Sequence, residues 1–151
     1  MSAPIGNRFW EARSSHGRKP IFSSPEELWT AACEYFDWVE ANPLHEAKAF
    51  GSKDGVQTVN LPKMRAMSVG GLCIFLDIVP STWVEYRKRE GFSDVCTRVD
   101  EVIRAQKFQG AAAELLNPAI IARDLGLADK QELTGAEGAP LVPIINLSGR
   151  S

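Results

Sequence analysis

Two Asn-Pro pairs, Asn42-Pro43 and Asn117-Pro118, set the outer limits on how this chain folds. Proline lacks a backbone N–H and its ring clashes with the preceding turn, so a helix that reaches either pair stops there. Upstream of the first pair, Ser24-Pro25-Glu26-Glu27 carries the signals of a helix start. Ser24 caps free amides, Pro25 suits the first helical position, and Glu27 closes a capping box. Leu28, Ala32, Phe36 and Val39 then recur at helical spacing, with Trp29 and Tyr35 beside them. The opposite face, Glu27, Glu34, Asp37 and Glu40, reads as solvated, and its charge would repel phosphates.

Between the two pairs the pattern changes twice. Within residues 44–62, Glu46 to Phe50 and Val56 to Leu61 flank Gly51-Ser-Lys-Asp-Gly55, and Asp54-Gly55 predicts the turn of a β-hairpin. An isolated hairpin is marginal, so it is expected to lie on the helices or on a neighbouring subunit. Two short helices follow, from about Val69 to Asp77 and from Pro80 to Arg89, the second ended by Gly91. Ser93 is expected to cap a long helix from Asp94 to Leu116, with Val95, Val99, Val102 and Ile103 inward. Within it, Gly110-Ala111-Ala112-Ala113 allows close approach by another helix. A last helix, Ala119 to Leu125, ends at Gly126.

The ends differ from this helical body. Residues 1–22 read as a flexible basic arm or a plain unstructured terminus, with Arg8, Arg13, Arg18 and Lys19 against Glu11 alone. Residues 23–92 form a helical region containing the hairpin, and 93–127 a helical oligomerisation core. Residues 128–151 form a loop and a short apolar strand, Leu141, Val142, Ile144, Ile145 and Leu147, with Pro143 inside it. A solitary strand leaves its backbone groups unpaired. Strands from several copies would satisfy one another in a barrel, and addition to the hairpin is the alternative. The fold class is therefore mainly α, with a C-terminal strand suited to an intersubunit β-barrel in a ring.

Chemistry is thinly represented. The 51–55 glycines lack the spacing of a phosphate-binding loop. His16 and His45 stand at no metal-ligand spacing. Cys33 and Cys73 fall on apolar helix faces, where burial is expected, and with Cys96 they make no disulfide framework. No enzyme, cofactor or metal is expected. No apolar run approaches the ~20 residues of a membrane span, and the N-terminus lacks a signal-peptide pattern, which places the chain in the cytoplasm. The 44% hydrophobic fraction supports a real core. A net charge of −2 makes a single copy a poor non-specific DNA binder, so any nucleic-acid site is local and multiplied by assembly.

The segment Gly71 to Lys88 has the apolar order of a helix-turn-helix. Leu72 and Leu76 form the inner face of the first helix, small Cys73 permits a close crossing, Ile78 plugs the turn, and Trp83 and Tyr86 close the second helix. Asp77 departs from the usual glycine but tolerates a left-handed backbone at some cost. In this reading Ser81, Thr82 and Glu85 face base edges, while Arg87, Lys88 and Arg89 reach phosphates. The alternative role for the three cations is to complement the helix dipole.

Longer blocks carry a resemblance. Asn7 to Arg18, Glu34 to Leu44, Lys63 to Met67, Gln106 to Ala113 and Ile120 to Leu127 are similar to the P22-type small terminase subunits of tailed phages. The resemblance covers most of residues 1–130. It implies a protein that binds packaging sequences in replicated viral DNA and recruits and regulates a large subunit holding the ATPase and nuclease. It also implies a ring, a nonamer, with helices around a channel and a terminal barrel, working in the host cytoplasm during infection. Some such subunits continue into a strongly basic tail. Here Arg150 is the only charge beyond Glu137, which moves the expected DNA contact to the arm and the Arg87–Arg89 cluster. A dimeric helix-turn-helix regulator and a structural ring component that ignores DNA are the competing readings.

Overall fold

The computed structural model describes residues 7–15, 22–128 and 135–138. Helix α1, Pro25–Ala41, begins where the sequence places it: the Ser24 hydroxyl accepts the Glu27 amide at 3.2 Å. The Glu27 carboxylate reaches the Ser23 amide, one residue before the cap, at 3.0 Å. At the other end the Asn42 side-chain amide donates to the Trp38 carbonyl at 2.8 Å. The inward face is Leu28, Ala31, Ala32, Tyr35 and Val39; Phe36 is only half-buried.

Strands β1, Leu44–Ser52, and β2, Gly55–Lys63, form an antiparallel hairpin. Each has 9 residues, longer than the stretches 46–50 and 56–61 expected from the sequence. Ser52 pairs with Gly55, so Lys53 and Asp54 make the turn, not Asp54-Gly55. Gly55, at φ +122°, carries the positive-φ position just after it. Every residue from 47 to 60 is exposed. Within the chain the hairpin does not lie on the helices. It projects about 30 Å at the usual strand rise, bonded at its base where Asn7 and His45 exchange side-chain to backbone hydrogen bonds at 3.2 and 3.1 Å.

Helices α2, Val69–Leu76, and α3, Pro80–Lys88, are joined by the three residues Asp77 to Val79. Ser68 caps α2 by accepting the Gly71 amide at 2.9 Å. Asp77 adopts the left-handed conformation, φ 58° and ψ 43°, and the Ile78 amide returns to the Cys73 carbonyl at 3.0 Å. Together these turn the chain sharply into α3.

Helix α4, Phe92–Ala112, corrects the sequence reading at both ends. Ser93 is not its cap; it lies inside the first turn, and Gly91 at φ +81° precedes the helix. The helix ends four residues early because the Leu115 and Leu116 amides both return to the Gly110 carbonyl, with Glu114 at φ 58°. Helix α5, Pro118–Asp124, then begins under the Asn117 side chain, which accepts the Ala119 and Ile120 amides.

One apolar cluster holds α1 to α4 together, centred on Leu28, Leu72, Leu76, Trp83, Cys96 and Val99, each at most 1% exposed. Phe22 enters it from before α1 and gives its amide to the Tyr86 hydroxyl at 2.9 Å. The arm expectation also needs correction. Residues 7–15 are docked, with a single 3₁₀ turn at Phe9–Glu11 and Ser14 buried. The Ser14 amide donates to Phe75 O at 3.0 Å, and Ser14 Oγ and the Ser15 amide both donate to Glu34 at 2.8 Å. Glu34 and Glu27 are therefore bonded and half-buried, while Asp37 and Glu40 remain exposed. The strand expected at 141–147 lies outside the described residues. Among those described, no helix is long and apolar enough to cross a membrane.

Candidate nucleic-acid interface

Helix α3 is short because Pro80 can only start a helix, and Trp83 and Tyr86 fix which side faces inward. The remaining side carries Ser81, Val84, Glu85 and Lys88 at i, i+3, i+4 and i+7, all exposed. Val84 was not among the residues singled out from sequence. Its place in this spacing was the available signal. Thr82 is half-buried, with its amide bonded to Val79 O at 3.0 Å.

The three cations at the end of α3 have different surroundings. Arg87 turns toward α4, where its Nε and Nη2 donate to the two carboxylate oxygens of Asp100 at 3.0 Å each. That hydrogen-bonded carboxylate holds the guanidinium pKa above its usual value. Arg89 lies over the rings of Tyr86 and Phe92, 5.9 and 5.6 Å from their centroids. Lys88 stands on the outward face and makes no ion pair among the described residues.

The arm cations reach the same end of the molecule only in part. Arg13 donates to the carbonyls of Trp10 and Ala12 and lies 3.9 Å from Asp77 in the α2–α3 turn. Arg8 pairs with Glu11 at 3.1 Å. Arg18 and Lys19 lie outside the described residues, as does His16. The helical small-residue patch is divided: Gly110 is buried within the chain, while Ala112 and Ala113 are exposed and Ala111 is half-buried.

Burial pushes the Cys73 and Cys96 thiols up to about 11, which keeps them protonated and poorly nucleophilic near neutral pH. Cys33, expected to be buried, is half-buried, and partial burial raises its pKa too. Among the described residues no three metal-ligating side chains come together.

The described residues thus form a helical body with a short helix pair whose second helix turns a largely polar stripe outward. The family model described as DNA-packaging protein gp3 matches residues 17–133, and the chain belongs to that family. The small terminase subunit of Salmonella phage P22 is 59% identical over 133 residues, which span 88% of this chain and 82% of the relative. The resemblance read from the sequence is thereby confirmed. A small terminase subunit is a packaging protein and not itself a catalyst.

Proposed function

We propose that copies of this chain assemble into a ring that recognises viral packaging DNA through α2 and α3. The ring, a nonamer on the family resemblance, recruits and regulates the large terminase subunit, which holds the ATPase and nuclease. The work takes place in the cytoplasm of the infected host. The observation that carries the reading is the exposed Ser81, Val84, Glu85 and Lys88 stripe on a helix entered through a three-residue turn. A helix-turn-helix presents its second helix to the major groove after a short turn of this kind, which supports the reading.

One copy offers few cations on this surface, and the net charge is −2. Affinity then comes from repetition: linked weak sites gain roughly 10²–10⁴ in apparent affinity without new contacts. Exposed Ala112 and Ala113 supply part of the subunit seam, with buried Gly110 and half-buried Ala111 behind them. Leu141, Val142, Ile144, Ile145 and Leu147 supply barrel strands. The arm, with Arg18 and Lys19, adds phosphate contacts.

Light scattering combined with fluorescence anisotropy on a duplex from the phage genome tests this. The expected result is a mass many times 16.6 kDa and binding that weakens steeply with salt, as counterion release requires. A dimer on a palindromic site would favour a transcriptional regulator. A ring indifferent to duplex DNA would favour a purely structural component, and a monomer without DNA affinity would end the proposal.

A further inference from the structure

The Arg87–Asp100 pair sits in an unusual place for a structural staple. Both side chains are substantially exposed, 42% and 32%, so their mutual attraction is screened by water. A surface pair is typically worth ~0–1 kcal/mol, with a bidentate arginine–carboxylate pair toward the upper end. Its geometry, however, is the two-pronged one that arginine also uses to hold a phosphate. Asp100 therefore fills two donors of Arg87 of the kind that bind phosphate.

The pair borders an open groove of about 520 Å³ between the start of α2, α4 and α5. Two further cations line it, and each is also engaged from within the chain. Lys107 pairs with Asp124 at 2.6 Å, and Arg104 donates to Leu125 O at 3.3 Å. With Glu101, the groove holds three cations and three carboxylates. Its formal charge is balanced by the chain itself.

We infer that Asp100 is a resident competitor for phosphate, and that it lowers the affinity of each copy for DNA. The inference rests on the proposed DNA-binding role of α3 and names what regulates it. A phosphate that engages Arg87 must first displace Asp100, and the displaced carboxylate stays nearby as a like charge. Each copy thus binds weakly, and productive binding is confined to assemblies that engage many copies at once. Accidental, single-site contact with bulk DNA is suppressed.

The test uses the full-length protein and a 30-bp random-sequence duplex, read by anisotropy across a salt series. Asp100→Asn keeps the shape and an acceptor for Arg87 but removes the charge. It is expected to tighten binding about threefold or more and to steepen the salt dependence by about 0.9 per engaged site. Asp100→Asn combined with Arg87→Gln should lose that gain. Glu40→Gln on the exposed face of α1 makes the same change in net charge, and it should do little. A thermal melt of each variant separates altered folding from altered binding. Unchanged or weaker binding by Asp100→Asn, an equal gain from Glu40→Gln, or a gain that survives loss of Arg87 would each overturn the inference while the wild type still bound DNA. Absence of binding in every variant and in the wild type would instead remove the DNA-binding reading on which it stands.

Discussion

Gly110 and Leu116 are packed so closely that a Cβ on residue 110 would fall 2.7 Å from Leu116 Cδ1 and 2.8 Å from its Cγ, with Met64 Sδ also at 2.8 Å. The same glycine's carbonyl accepts the amides of Leu115 and Leu116. The end of α4, the turn into α5 and the segment after β2 therefore meet at one point. Gly110→Ala should destabilise the protein. The helix-propensity gain of roughly 1 kcal/mol is outweighed by overpacking, which costs about 1–3 kcal/mol. Thermal melts of Gly110→Ala in the wild-type and Leu116→Ala backgrounds check this. The loss should shrink when Leu116 is truncated, and an equal loss in both would show that the crowding lies elsewhere.

Asp77 gives a second prediction. Its φ of 58° is a strained conformation for a residue with a side chain, and left-handed backbone costs an L-residue roughly 1–2 kcal/mol. Glycine removes that strain but forfeits the exposed, 3.9 Å contact with Arg13. Asp77→Gly should therefore be neutral or slightly stabilising. Asp77→Val, β-branched and without polar compensation, should lower the melting temperature clearly. The order glycine at or above wild type, valine below, is the expected result of differential scanning calorimetry.

What was legible in the sequence was local. Ser24-Pro25, Pro80 and Asn117-Pro118 mark helix ends by chemistry confined to a few neighbouring residues, and the helices begin there. Trp83 and Tyr86 announced the buried side of α3 by spacing alone. What was not legible depends on pairs far apart in the chain. Ser14 and Glu34 dock the N-terminal segment across 20 residues, and Met64 meets Gly110 across a longer gap. Arg87 looked like a free cation because nothing in its own helix reveals Asp100, 13 residues on, at the facing position of α4. Ser93 looked like a cap because serine favours that role, but Gly91 had already supplied the turn.

The two buried thiols predict an alkaline dependence. Cys73 and Cys96 are raised from 9.0 to about 11 by burial. Above pH 9 the unfolded chain releases these protons while the folded chain retains them. Stability should be insensitive to them below pH 9 and fall as pH climbs from 9 toward 11. The Cys73→Ala/Cys96→Ala variant, though less stable at pH 7 from lost packing, should show a flatter decline over that window. At pH 8, a thiol reagent such as dithionitrobenzoate should label half-buried Cys33 first. Rapid labelling of all three in the folded protein would contradict the burial of the other two.

The outward face of α3 predicts two kinds of DNA-binding defect. Lys88 is exposed and suited to a phosphate, which carries no sequence information. Lys88→Ala should weaken binding to all duplexes and reduce the salt slope by about one per engaged copy. Ser81 and Val84 lie on the same face nearer the start of the helix, where base edges are read. A hydroxyl accepts or donates to several bases, and an apolar branch suits the thymine methyl group. Ser81→Ala and Val84→Ser should therefore change which sequences are preferred, with ~1–3 kcal/mol of discrimination at the affected base pair, and should leave binding to random duplex nearly unchanged. Selection of bound duplexes from a random pool, run with each variant, separates the two outcomes. If all three substitutions lower affinity alike without altering the selected sequences, α3 contacts only the backbone, and sequence recognition belongs to another surface.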